Sequence, residues 1–397
     1  MKEKNTNRLF FALYFFFWAA ENCLGPYLGV YYKAIGLTGM KIGIVNGAFS
    51  VAVIVASLLI GAVGDKLGNT KRLLLFLLAG MIAGTAFLFV SRTFTLILIA
   101  VSLYGFSGSP VNGIADKILM DHLQDKPESF GVYRLGGTIG AGIGIIAAGL
   151  LITVSHFSFL FYFYWLSLLI CFTYTLRIPV TENDRGMEKS RWSDYIIIVK
   201  NKSFIPIYIT MMIWGFTEVG SSSFQALHIV ACGFKSSYTS VFVTFSLIGE
   251  GIGFVLIPHL MNKIKWKHLL AFTFLLQFFK IGTMTLLRVL PLPVVIFFQF
   301  TGGGAFAIIY SIITQAISAS YPSKVSCSAQ TLKLVANKGI GLSCGSLMFG
   351  YLYENYSLTV GYGILTVISI VFAVFLFLSS RRGKDGSRTP HEACEEM

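Results

Sequence analysis

Apolar residues run in blocks of twenty or more along nearly the whole chain, separated by short polar turns. A helix needs about 20 such residues to cross the hydrocarbon of a bilayer. Twelve blocks meet that length: 9–34, 40–64, 72–91, 94–121, 131–155, 157–177, 204–231, 237–261, 268–288, 292–318, 327–352 and 358–380. The pattern predicts an all-α membrane protein of twelve transmembrane helices. The one long polar connection, TENDRGMEKSR followed by WSDYIIIVKNKS, falls between the sixth and seventh blocks. It divides the chain into a six-helix bundle over 1–180, a linker over 181–203, a second six-helix bundle over 204–380 and a tail over 381–397 that is expected to be disordered. The stretch SDYIIIVKN is amphipathic enough to lie along the membrane surface, and a plain tether serves as well.

Composition agrees with that class. Hydrophobic residues make up 55% of the chain and charged residues 12%, against about 25% charged in an ordinary soluble domain, and the mean hydropathy is +0.73. The formal charge of +13 would suit a nucleic-acid partner, but its distribution follows the membrane instead. With the N-terminus inside, Lys66, Lys71, Arg72, Arg177, the linker cations, Lys263, Lys265, Lys267, Lys324 and the tail cations share one side. Only Lys33, Lys41, Arg92, Lys235 and Arg288 fall on the other. The excess of positive charge on inner loops places both termini in the cytoplasm of a multi-pass protein of the cell membrane. The first block directly follows MKEKNTNR and is too long, with Glu21 inside it, for a cleaved signal segment. Cys23, Cys171, Cys232, Cys327, Cys344 and Cys394 are scattered without metal-ligand spacing, so neither a disulfide framework nor a metal site is expected. No phosphate loop or Ser/His/Asp arrangement points to an enzyme. The lipid bilayer and a small-molecule substrate are the partners implied, with no nucleic acid and a monomeric chain.

Seven of the ionisable side chains inside the apolar blocks stand out: Glu21, Asp116, Arg134, Glu218, Glu250, Lys280 and Lys338. A charge at membrane depth costs at least about 2.5–3.5 kcal/mol on insertion scales, so a chain that keeps several uses them on a polar path or as internal pairs. Glu21, Glu218, Lys280, Lys338 and Glu250 each fall about 12–14 residues from the inner end of their helix, which sets them about 18–21 Å from the inner surface, near the midplane. Asp116 and Arg134 flank the turn near Asp125 at equal sequence distance, so an antiparallel hairpin should bring them face to face as an ion pair. Four acids stand against three bases, leaving one carboxyl to carry a proton. His122 and His228 lie nearer helix ends and are not expected to relay protons. The aromatic crowd in the first block, and Trp214 and Phe216, are expected to face lipid or neighbouring helices. Gly136, Gly137, Gly140, Gly142, Gly144 and Gly302, Gly303, Gly304 offer close helix packing.

The loop after the second block reads Gly61-Ala-Val-Gly-Asp65-Lys-Leu-Gly68-Asn-Thr-Lys71-Arg72. This run resembles the cytoplasmic loop motif of the major facilitator superfamily. There the glycine permits close helix approach, the aspartate caps or pairs at a helix end, and the basic residues face the inner surface. A degenerate copy, Pro258-His-Leu-Met-Asn262-Lys263-Ile-Lys265, follows about half a chain later, with Asn262 in the place of Asp65, as an internal duplication predicts.

Within the superfamily the chain resembles the lactose permease and phenylpropionate permease branch of proton symporters across most of its length. Phe130-Gly131-Val-Tyr-Arg134 is similar to that branch's Phe-Gly-x-x-Arg, whose Arg binds substrate in lactose permease, and Asp116 stands in the place of its partner acid. Glu218 and Lys338 resemble the charged pair between helices seven and eleven. By the same resemblance Glu250 would serve substrate binding and coupling, and Lys280 would tune a proton site. Ala141 replaces the stacking Trp of lactose permease, and Gln299 to Ala305 replace the stretch that carries its His and Glu. Ser221 replaces a second acid. Galactoside specificity and that particular proton relay are therefore not carried over.

These readings converge on a secondary active transporter built of two pseudo-symmetric six-helix bundles around a central cavity. The activity expected is proton-coupled symport of a sugar, nucleoside or aromatic acid by alternating access, with no cofactor beyond the proton as coupling ion. Asp116, Arg134 and Glu250 are the expected substrate contacts, with Glu218, Lys338, Lys280 and Glu21 in coupling or charge pairing. A proton-driven exporter of the same fold and a non-transporting membrane sensor are the rival readings.

Overall fold

The computed structural model describes residues 2–67, 70–123, 130–154, 156–179, 205–221, 223–261, 263–320 and 323–382. They form twelve helical runs. In the first half, α1 comprises Lys2–Leu24, a 3-10 turn Gly25–Tyr27 and Leu28–Ala34. It is followed by α2 (Gly39–Leu67), α3 (Thr70–Val90), α4 (Phe94–Gly108 and Val111–Leu123), α5 (Phe130–Val154) and α6 (Ser158–Arg177). In the second half, α7 comprises Ile205–Glu218, a 3-10 turn Val219–Ser221 and Ser223–Ala231. Then come α8 (Tyr238–Met261), α9 (Trp266–Thr285) and α10 (Leu292–Ser320). The last two are α11 (Ser323–Leu334, a π-helical stretch Val335–Gly341, and Leu342–Asn355) and α12 (Leu358–Arg382).

Nine of these runs are long and apolar enough to cross a membrane by their own composition. The other three are α7, α9 and α11; α7 and α11 are broken by a 3-10 turn and a π-helical stretch into shorter α-helical pieces, and α9 carries Lys267 and Lys280. The expected linker and all of the tail beyond Arg382 lie outside the described residues, as does Asn262.

The chain divides into two compact units, Met1–Lys189 and Ser190–Met397. In the first, α1 packs along α5 and α6, while α4 packs on α2 and α3. In the second, α7 packs along α11, α8 along α10, and α9 against α10 and α12. Large apolar side chains such as Phe76, Leu150 and Val255 stay exposed, as expected of helices whose outer faces meet lipid rather than water.

Glycines set the tightest crossings, and they repeat. A Cβ on Gly140 or Gly144 of α5 would overlap the carbonyls of Phe15 and Ala19 on α1. A Cβ on Gly341 or Gly345 of α11 would meet the carbonyls of Met212 and Phe216 on α7. Met212 and Phe216 lie 197 positions after Phe15 and Ala19, and Gly341 and Gly345 lie 201 after Gly140 and Gly144. Likewise Gly105 of α4 abuts the Phe49 carbonyl on α2, and Gly303 of α10 abuts the Ser246 carbonyl on α8, with offsets of 198 and 197. Two units built on one crossing pattern are an internal repeat at the level of backbone contact. Gly140→Ala should therefore destabilise by about 1–3 kcal/mol because a backbone carbonyl cannot step aside. Gly142→Ala, with nothing within 4 Å of the added methyl, should be neutral or slightly stabilising, and thermal unfolding of the purified protein separates the two.

The loop motif has a structural end point. Gly61 and Asp65 fall within α2, Gly68 lies outside the described residues, and Arg72 is exposed. Lys71 donates its ammonium to the carbonyls of Leu176 and Ile178, at 2.8 and 2.6 Å. A cation there satisfies the open carbonyls at the end of α6 and complements its dipole. His268, 197 positions on, makes the corresponding reach to Ser380 near the end of α12, at 3.2 Å.

Candidate functional site

In the first unit the charged residues form two clusters on one face of α1, where Tyr14 and Glu21 lie two turns apart. Arg134 of α5 meets Asp116 of α4 at 2.7 Å, so the ion pair expected from the hairpin is present. The Tyr14 hydroxyl donates to the other Asp116 oxygen at 2.5 Å. Arg134 and Asp116 remain 40% and 29% exposed, so a ligand can reach the guanidinium fork while the pair holds it in place. A planar fork held by one carboxylate is suited to a second, bidentate acceptor.

The second cluster is enclosed. Glu21 accepts the Tyr104 hydroxyl of α4 at 3.1 Å on both carboxylate oxygens and the Tyr164 hydroxyl of α6 at 3.2 Å. Both tyrosines are buried, and their rings meet edge to face at 6.2 Å. Two hydroxyl donors stand in for the water that a carboxylate loses at this depth. Neither tyrosine was singled out from the sequence, because nothing in a local pattern marks a phenol that hydrogen-bonds 83 or 143 residues away. Removing one donor through Tyr164→Phe should cost about 1 kcal/mol of stability. Tyr104→Phe with Tyr164→Phe should cost more than the sum of the single changes, since Glu21 then keeps neither hydroxyl; a double-mutant cycle on thermal unfolding reads the difference.

In the second unit the corresponding acid is Glu218, which lies 197 positions after Glu21 at the point where α7 breaks into a 3-10 turn. Its surroundings differ. The place of Tyr104 is taken by Gly302 of α10, at an offset of 198, and the stem of Lys280 from α9 lies across that glycine. Lys280 is 7% exposed, and the acids whose fields reach it are Glu218 and then Glu250. Glu250 of α8 sits at the α8–α10 crossing, its backbone nitrogen against Gly303. Tyr362, 198 positions after Tyr164, no longer serves a carboxylate; its hydroxyl donates to the Gly220 carbonyl. The substitution of a tyrosine by a glycine thus admits an ammonium where the first unit has a hydroxyl.

The charge pair expected between Glu218 and Lys338 is not formed. Lys338 lies in the π-helical stretch of α11 with an exposed side chain. The α7–α11 seam is occupied by the Asn337 backbone against Gly215 and by Gly341 against the Met212 carbonyl, which turns the neighbouring Lys338 away from it. The second unit also buries amides. Gln225 donates to Gln299 at 3.3 Å, and Gln277, one turn before Lys280, is 1% exposed with neither amide atom hydrogen-bonded among the described residues. The two histidines have structural partners: His228 meets the Met284 carbonyl at 2.9 Å and stacks near Tyr362, and His122 meets Asn7 at 3.4 Å. No group of three metal-binding side chains occurs among the described residues.

Each unit thus carries acids and bases inside helices whose outer faces are apolar, which is rare and costly in a membrane protein. Comparisons with known proteins agree. The chain is 24% identical over 370 residues to the probable 3-phenylpropionic acid transporter of Escherichia coli strain K12, covering 92% of this chain and 95% of that one. It is 26% identical over 262 residues to the quinolone resistance protein NorA of Staphylococcus aureus, covering 62% and 64% of the two chains. The crystal structure of the nucleoside transporter NupG superposes with a TM-score of 0.81 at 20% identity, over 97% of this chain and 100% of that one. The model of the MFS_1-like family matches residues 9–363, and with the glycine crossings, the paired units and the intramembrane charges this shows that the chain is a multi-pass membrane transporter, not an enzyme, and belongs to that family.

Proposed function

We propose that this transporter is a proton-coupled symporter that carries a small organic solute by alternating access, with both termini in the cytoplasm. The observation that carries the solute site is the half-open Arg134–Asp116 pair with Tyr14 on its far side. It offers hydrogen-bond donors to an acceptor group and a carboxylate to a donor group. The coupling site of this reading is the second-unit cluster: two carboxylates, Glu218 and Glu250, act on the single ammonium of Lys280. Neutralising such a group takes one proton, and Glu250, placed on a glycine-lined crossing, is the acid that links the solute to that proton. The 3-phenylpropionic acid transporter and the nucleoside transporter support an aromatic acid or a nucleoside as the solute, and a sugar remains a third class for the test.

Uptake of a panel of sugars, nucleosides and aromatic acids into proteoliposomes, with and without an inward proton gradient, tests this reading. Gradient-stimulated accumulation is the expected result. The likeness to NorA favours a second reading, proton-driven export by the same fold. Accumulation only when the gradient is reversed across an inverted orientation would replace symport by that reading.

A further inference from the structure

The repeat that relates the two units exposes one asymmetry that the proposed symport does not use. On the 198-position offset of α4 and α10, the place of Asp116 is occupied by Thr314. On the 201-position offset of α5 and α11, Lys333 falls two positions, about 3 Å along the helix, before the place of Arg134. Lys333 is 3% exposed. Its ammonium donates to the Thr314 hydroxyl at 2.8 Å and lies 4.3 Å from the centre of the Tyr310 ring. Gln330 ties the same turn by donating to the Thr314 carbonyl at 3.0 Å. The second unit therefore keeps the cation of the first-unit pair and has lost its acid, and no carboxylate lies within 4.0 Å of Lys333 among the described residues.

A hydroxyl and a ring face hold an ammonium in position without cancelling its charge. Tyr310 is 37% exposed, and its ring stacks on Phe306 at 5.6 Å. A negative group at the Lys333 ammonium would meet a pre-placed cation and hydroxyl, and an apolar body attached to it would meet the two stacked rings. We propose that Lys333, Thr314 and Tyr310 form the anion-binding arm for a monocarboxylate with an apolar, arylalkyl body, the ligand supplying the negative charge that Asp116 supplies in the first unit. This rests on the reading of the chain as a solute transporter and narrows its solute to anions.

The test uses the full chain in nanodiscs of phosphatidylcholine, with 3-phenylpropionate as probe and its neutral amide as control, read by calorimetry. Wild-type protein is expected to bind the acid at least about tenfold more tightly than the amide. Lys333→Gln should remove that preference and leave amide binding unchanged, and Lys333→Arg should retain it within about threefold. Thr314→Asp restores the acid of the first unit. It should raise the midpoint of thermal unfolding and abolish binding of the acid, so a poorly folded Lys333→Gln protein does not decide the outcome. Equal affinity of wild type and Thr314→Asp for 3-phenylpropionate overturns the proposal, as does a wild type with no preference for the acid. A Lys333-dependent thermal shift that appears only on adding phosphatidylglycerol to the discs also overturns it, by assigning the site to a lipid headgroup. Lys333-dependent binding without gradient-driven uptake overturns symport and leaves the site standing. Gradient-driven uptake of an uncharged solute that Lys333→Gln does not change does the reverse.

Discussion

Arg134→Gln is expected to abolish solute uptake while leaving a folded protein. The guanidinium supplies the charge-assisted donors of the half-open first-unit site, and each such bond is worth about 1.5–3 kcal/mol. Losing that amount in the transport step lowers uptake efficiency about 10–100-fold. Stability should fall far less, by about 1 kcal/mol, because the pair is partly exposed and Asp116 keeps the Tyr14 hydroxyl as a partner. Arg134→Lys retains the charge and loses the planar fork, so it should recover only part of the activity. Initial rates of gradient-driven uptake in proteoliposomes, set beside thermal unfolding of the same preparations, separate the two effects. Wild-type rates in Arg134→Gln would remove this residue from the solute path, and wild-type rates after neutralising Asp116, Arg134 and Glu250 together would remove the whole set.

Gly302→Ala should damage the second unit through Lys280, and removing Lys280 should repair it. A methyl at Gly302 would occupy the space of the stem and ammonium of Lys280, which is 7% exposed. Overpacking of this kind costs about 1–3 kcal/mol, and displacement of the ammonium leaves two acids without their shared cation. In Gly302→Ala with Lys280→Met the charge is gone and the flexible thioether chain adapts to the methyl. The double variant should be more stable than the sum of the single changes by about 0.5–3 kcal/mol. It should still transport poorly, since the base of the proposed coupling site is missing. Strict additivity in thermal unfolding would show that the glycine and the lysine act independently. The same cycle on Tyr104 and Glu21 has no equivalent rescue, because in the first unit the hydroxyl is itself the partner.

Lys338 drew attention in the sequence because, with Glu218, it resembles a charged pair between helices seven and eleven. In this chain α11 is π-helical over Val335–Gly341, and the glycine-to-carbonyl contacts with α7 determine which residues face the seam. Lys280 is instead the cation within reach of the Glu218 field, its stem lying across Gly302 of α10, a fact about a third helix that neither residue's own sequence contains. Lys333 escaped notice for the opposite reason. It lies near a polar helix start, where a basic residue ordinarily points to water, and its burial depends on the ring of Tyr310 and the hydroxyl of Thr314 from α10.

The sequence by itself determined the class, the helix order and the division into halves, because each depends on local quantities. Twenty apolar residues must span or stay buried in lipid, and every backbone polar group there must be satisfied within its own helix. It also determined the Asp116–Arg134 pair, since an antiparallel hairpin with a short turn fixes which positions face one another. What only the tertiary structure decided is how the remaining charges are satisfied. Glu21 with two tyrosines, Lys280 over Gly302, and Lys333 beside Thr314 each join helices far apart in the chain, brought together by glycines whose missing side chains let backbones touch. Those contacts depend on the register between helices, and a one-residue slip in a helix rotates a side chain by about 100°, so the pairing of intramembrane charges is set by packing and not by spacing.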